Sequence, residues 1–116
     1  MTDEQIYRWL DGVVEKDKLF LNPSLRRSDL MEIVGTNKNR FGHIVRAYSG
    51  CPNVTVYINN KRLAYAKGLM KSCPQKPNKV IAIECGIVNI ITFTRLFHKY
   101  YGMTPSDYRN ILAMQS

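Results

Sequence analysis

The chain has 116 residues, 45% of them hydrophobic and 22% charged, with a formal net charge of +8. That length allows one domain with a modest core and not two independent ones. The longest apolar stretch, residues 80–91, is interrupted by Glu84, Gly86 and Asn89, which excludes a membrane span.

The charge is uneven. Residues 1–17 carry five acids against Arg8 and Lys16, whereas residues 18–116 carry fifteen Lys or Arg against four acids. A surface this basic attracts polyanions and releases counterions when it meets phosphates. Charge alone leaves an ordinary solvated surface as an equal alternative, so layout must decide.

In chain order, Ile6, Leu10, Val13 and Val14 recur at helical spacing and predict a helix over about 3–16, with Thr2 and Gln5 as a capping box. This acidic segment, residues 1–19, is expected to be a lead-in helix or linker. Phe20 to Ser24 is a loop, because Asn22-Pro23 disfavours helix. Ser28 caps a short helix over 29–34 that stops at Gly35. Asn37 caps the next, over about 38–48, which stops at Gly50.

After the turn at Cys51-Pro52-Asn53, a long pattern covers about 54–71, with Val56, Ile58, Leu63, Ala66, Leu69 and Met70 on its inner side. Pro74 and Pro77 break it. Helices over 79–85 and 90–101 follow, the second capped by Asn89 and closed by Gly102. Thr104-Pro105-Ser106-Asp107 starts a last helix that runs to about Met114. The expectation is an all-α protein of seven helices. The β-branched run from Val54 to Ile58 and the run from Ile87 to Ile91 also suit strands.

Two segments share a plan: DLMEIVGTNKNRF at 29–41 and VIAIECGIVNIITF at 80–93. Each is an apolar run ending in Gly and restarting as a second helix, the layout of a helix-turn-helix. The first spans about 28–50 and the second about 78–102. From turn Gly to first aromatic is six positions in one (Gly35 to Phe41) and seven in the other (Gly86 to Phe93), the extra residue falling in the turn, where insertion is cheapest.

On these residues the chain resembles the DNA-binding domain of the AraC/XylS family of bacterial transcription regulators. The stretch IAIECGIVNIITFTRLFHKYYGMTPSDYR, residues 81–109, carries most of the likeness, above all its closing GMTPSDYR. The segment YINNKRLAYAKGLM at 57–70 matches the family's linking helix through Arg62, Ala66 and Leu69. The resemblance covers about residues 20–112 and implies a DNA-binding domain over 20–116, with a linking helix at 54–72 and a C-terminal helix at 105–114. It implies sequence-specific binding of double-stranded DNA, RNA polymerase as a further partner, and a sensory or receiver module outside this chain; the cytoplasmic location is expected from the N-terminus, where Asp3 and Glu4 stand in place of a basic-then-apolar signal pattern. The implied cofactor requirement is none.

In such a domain the second helix of each motif enters the major groove, and the linking helix spaces the pair by about one DNA turn, ~34 Å. Base-reading candidates are then Asn39, Arg40, Gly42 and His43 in the first reader, and Ile90, Ile91, Thr94 and Arg95 in the second. Asn suits adenine and Arg suits guanine, each bidentate pair discriminating by ~1–3 kcal/mol. Phosphate candidates are Lys38, Arg46 and Lys99, the helix starts at Asn37 and Asn89, and Lys61, Lys67 and Lys71 on the linking helix. For each of these lysines an ordinary solvated charge is the equal alternative.

The apolar start of the second reader has two readings. Ile90 and Ile91 can meet thymine methyl groups, or this half is a helical protein-interaction module that has lost base reading. His43 and His98 are expected to be polar or solvated, not metal ligands. Enzyme chemistry is not expected: no Cys/His pair, Gly-rich phosphate loop or nucleophile elbow occurs, and acids outside the first helix are few.

Overall fold

The computed structural model describes residues 1–115. Among them it holds seven α-helices and no strand: α1 Asp3–Lys16, α2 Arg27–Val34, α3 Lys38–Ser49, α4 Val54–Ser72, α5 Asn78–Glu84, α6 Ile90–Tyr101 and α7 Pro105–Met114, with one 3-10 turn at Leu19–Leu21. The β-branched run at Val54 therefore opens a helix. Asn53 makes this possible, since its side chain accepts from the Val56 N–H at 2.9 Å and takes up one of the free donors of the first turn.

Side-chain caps set most helix starts. Thr2 and Gln5 bond reciprocally at α1, as do Thr104 and Asp107 at α7, where Pro105 fills the first helical position. One expected cap is corrected. Ser28 lies inside α2, because the Asp29 carboxylate takes the Arg26 N–H at 2.8 Å and moves the start back to Arg27. The fifth helix also sits one residue earlier than expected, over Asn78–Glu84.

The chain forms two compact units, Met1–Asn59 and Asn60–Ser116 as bounded by their internal contacts. In the first, α1 packs on α2 and α3. Leu10, Val14, Phe20, Leu30, Phe41, Ile44, Val45, Val54, Tyr57 and Ile58 are buried there. Tyr57 donates its hydroxyl to Asp11 of α1, and burial, then that carboxylate, push the phenol's pKa up so that it stays neutral. Tyr7 packs its ring against Tyr48 and Tyr57.

In the second unit α6 packs on α5 and α7 around Leu63, Ala66, Met70, Ile81, Ala82, Cys85, Ile87, Phe93 and Phe97. The Phe97 ring meets Phe93, Tyr101 and Tyr108 at centroid distances of 5.9, 4.8 and 5.8 Å. Burial pushes the Cys85 thiol up to about 11, which marks an inert core residue. Cys51 and Cys73 are half-buried and not paired in a disulfide. In α4, Val56 and Leu69 are only half-buried, while Tyr57 takes an inward place instead.

Candidate functional site

The first motif turns at Gly35, which is left-handed (φ 72°) and donates to the Met31 carbonyl at 2.8 Å. That single bond closes an αL cap, and two residues later Asn37 restarts the chain by accepting from the Arg40 N–H at 2.8 Å. The outcome is α3, whose Phe41, Ile44 and Val45 point inward while Lys38, Asn39, Arg40, His43 and Arg46 are exposed. Neither α3 nor α6 contains an acidic residue, and none occurs between Glu32 and Glu84.

Two residues of this face behave differently from expectation. Gly42 was expected to lie open; it is buried, because the Arg27 and Arg46 side chains fold over it. A Cβ placed there would stand 3.0 Å from Arg27 Nη2 and 3.0 Å from Arg46 Nη1. Arg40 is exposed but engaged, its Nε and Nη2 donating to Asp3 Oδ1 of α1 at 3.1 and 3.0 Å. Arg27, which sequence reasoning passed over, sits at the start of α2 and donates from Nη2 to the Lys38 carbonyl at 2.9 Å. An arginine in a helix's first turn gives no signal in sequence that it will be engaged in this way.

The second motif turns differently. The Gly86 N–H (φ 94°) donates to the Ile83 carbonyl at 3.1 Å, and the Ile87 N–H to the Ala82 carbonyl at 3.0 Å. This bond pair is a Schellman turn, and it buries Ile87 against the core. The extra residue of the second motif is thereby used. Asn89 then accepts from the N–H groups of Ile91 and Thr92 and starts α6.

On α6, Arg95, His98 and Lys99 are exposed, and Ile90 and Thr94 are half-buried. Ile91 is 76% exposed and Val88, just before the helix, 61%. Ile90, Ile91, Thr94 and Arg95 together line an open, mostly apolar hollow of about 390 Å³. Of the linking-helix cations, Lys67 lies over the rings of Tyr101 and Tyr108 at 4.1 and 4.8 Å, a packing role. Lys61 is half-buried and Lys71 exposed. Arg109, also passed over, is structural: it ties α7 to Asn78 Oδ1 at 2.8 Å and to the carbonyls of Cys73 and Pro74. Among the described residues no three His, Cys, Asp or Glu side chains gather to hold a metal, and no helix is long and apolar enough to cross a membrane.

A helix-turn-helix domain family matches residues 30–111. The HTH-type transcriptional regulator YijO of Escherichia coli is 33% identical over 86 residues, which is 74% of this chain and 30% of YijO. The probable transcription factor PqrA of Proteus vulgaris is 26% identical over 106 residues, 90% of this chain and 80% of PqrA. The C-terminal domain of AraT, a response regulator from Geobacillus stearothermophilus, superposes with a TM-score of 0.81 over 91% of this chain and 84% of that one, at 21% identity. This last likeness concerns the fold.

Proposed function

This chain belongs to the AraC/XylS-type helix-turn-helix family of DNA-binding transcription regulators, and we propose that it reads one duplex through α3 and α6 in successive major grooves. It is a regulator domain and not an enzyme. The observation that carries the proposal is the repeat of one scaffold with two exposed, acid-free helix faces. A spacing of one DNA turn between the two readers is part of the proposal.

Asn39 and His43, with Arg40 once it leaves Asp3, are the base contacts assigned to α3. Arg95 and Thr94 are those of α6, with Ile90 and Ile91 against thymine methyls. Lys38, Arg46 and Lys99 take phosphates, together with the helix starts at Asn37 and Asn89, while Lys61 and Lys71 are secondary candidates. Lys67 is the weakest of that group because its ammonium is already seated on two rings. The Gly42 backbone is assigned no base contact.

The chain spans 30% of the length of YijO, and AraT is a response regulator whose C-terminal domain has this fold. A receiver or sensory module elsewhere in a longer regulator, RNA polymerase as the partner at the promoter, and a cytoplasmic location all follow as part of the proposal. Selection of bound duplexes from a random library tests the central claim. Two half-sites with centres ~10.5 base pairs apart are expected; a single half-site would overturn it.

The exposure of Ile91 and Val88 favours one rival, in which α6 docks a protein. Replacing thymine by deoxyuridine in the second half-site removes only the methyl groups. Binding weakened several-fold there supports groove reading by the isoleucines, each lost methyl contact being worth up to ~0.8 kcal/mol. Unchanged binding, with no base preference in that half, supports the rival.

A further inference from the structure

The first unit contains a cleft of about 340 Å³ lined by Arg27, Lys38, Asn39, Gly42 and Arg46. Three of these five carry positive charge and none is acidic. We propose that this cleft is a built site for a single phosphodiester of the DNA backbone, with Arg27 as its central ligand and Gly42 as its floor. The proposal rests on the DNA-binding reading and adds to it a residue outside both reader helices.

Three observations carry it. The Arg27 guanidinium is fixed in place: Nη2 donates to the Lys38 carbonyl at 2.9 Å, and the group lies 5.7 Å from the centre of the Phe41 ring. Its Nε is buried and meets no acceptor among the described residues. A donor left so costs about 1–3 kcal/mol, and more when it carries charge, so the guanidinium as a whole is stabilised by an anion that settles against its exposed side. The third observation is Gly42. Its bare backbone leaves the room that the Arg27 and Arg46 guanidinium ends occupy over the helix, and a Cβ, 3.0 Å from each, would press them back by a few tenths of an ångström.

Glycine in mid-helix costs ~1 kcal/mol against alanine, and here the close approach of two cations is what that cost permits. Two like charges converge on one point without a carboxylate between them, so an anion arriving there is attracted by both. An arginine fork matches a phosphate's oxygens in pairs, whereas lysine supplies a point charge, so Arg27 and Arg46 orient the group and Lys38 adds attraction. The first helix of such a motif crosses the DNA backbone, which is where Arg27 stands.

The test uses the whole chain, its selected duplex, a salt series and a set of duplexes with one neutral methylphosphonate linkage at each backbone position in turn. Arg27→Gln should bind every sequence about tenfold more weakly and lower the slope of log affinity against log salt by about 0.9. One methylphosphonate position in the first half-site should weaken the wild type and leave Arg27→Gln unaffected. Gly42→Ala keeps Arg27 and favours the helix, so it should melt no lower than wild type and still lose affinity at that same linkage.

A wild type that binds no duplex at ~50 mM salt would remove the DNA-binding reading along with this one. Binding with an unchanged salt slope in Arg27→Gln, or with identical linkage profiles in all three chains, would remove the clamp alone. Identical profiles would also be the result if the cleft took free phosphate instead of the backbone. A loss confined to one base pair would overturn it as well, by making Arg27 a base reader.

Discussion

The two helix-turn-helix motifs share a scaffold and differ in what they show to solvent. Both second helices are 12 residues long, both begin at an Asn cap, and both end at a left-handed glycine, Gly50 (φ 75°) and Gly102 (φ 73°). The turns before them diverge. Gly35 closes an αL cap with one bond, while Gly86 and Ile87 close a Schellman turn with two and hide one more side chain. The one-residue difference in spacing is thus a difference in cap type. The faces diverge further: Lys38, Asn39, Arg40, His43 and Arg46 on α3 against Ile90, Ile91, Thr94 and Arg95 on α6. A common frame with unlike faces teaches that capping chemistry sets the backbone of both motifs, while the recognition face of each is free to differ.

The sharpest way to test whether the frames are equivalent is to remove the matching anchors. Phe41 and Phe93 hold the same place in each motif and are 1% and 0% exposed. Phe41→Ala and Phe93→Ala should each cost ~3–5 kcal/mol, read as the shift of a urea denaturation curve. A cost below ~1 kcal/mol for either would show that its motif is not built on that ring.

The next test concerns the faces and is smaller, ~1–3 kcal/mol. Asn39→Ala should relax preference at one base position of the first half-site, and Arg95→Ala at one of the second. Lys99→Ala should weaken all sequences about equally and reduce the salt slope by about 0.9. Selection on each variant reads all three. If Arg95 and Lys99 behave alike, the division between base reading and phosphate contact on α6 is lost.

Much of this frame was readable from sequence because its determinants are local. Thr2, Asn37, Asn89 and Thr104 cap helices within three residues of themselves, and Gly35, Gly50 and Gly102 end them with a conformation other residues adopt at a cost. Ser28 failed as a cap for an equally local reason, since the Asp29 carboxylate reaches back to the Arg26 N–H and starts the helix before Ser28. What could not be read came from residues far apart in the chain. Gly42 is covered by Arg27 from the preceding helix, Lys67 is drawn onto Tyr101 and Tyr108, and Arg40 is held by a carboxylate 37 positions earlier. Helical periodicity finds the outward face of α3, but it cannot tell which long side chains on that face are already engaged.

The Arg40–Asp3 pair turns that blind spot into the smallest and most discriminating prediction. The two groups meet at 3.0 Å with side-chain exposures of 48% and 30%, so solvent screens them and the pair is worth ~0–1 kcal/mol of stability. Asp3 also sits in the first turn of α1, where a negative charge adds a few tenths of a kcal/mol. Asp3→Asn should therefore lower stability by about 1 kcal/mol or less. It should also free Arg40 and remove an acid beside α3, so affinity should rise at low salt, and only for duplexes whose first half-site is intact. Titrations of the variant against a duplex with a scrambled first half-site, and another with a scrambled second, separate the causes. Equal tightening on both would mean that charge alone is acting. No tightening on either would mean that Arg40 belongs to Asp3 and never reaches a base, leaving Asn39 and His43 to read the first groove.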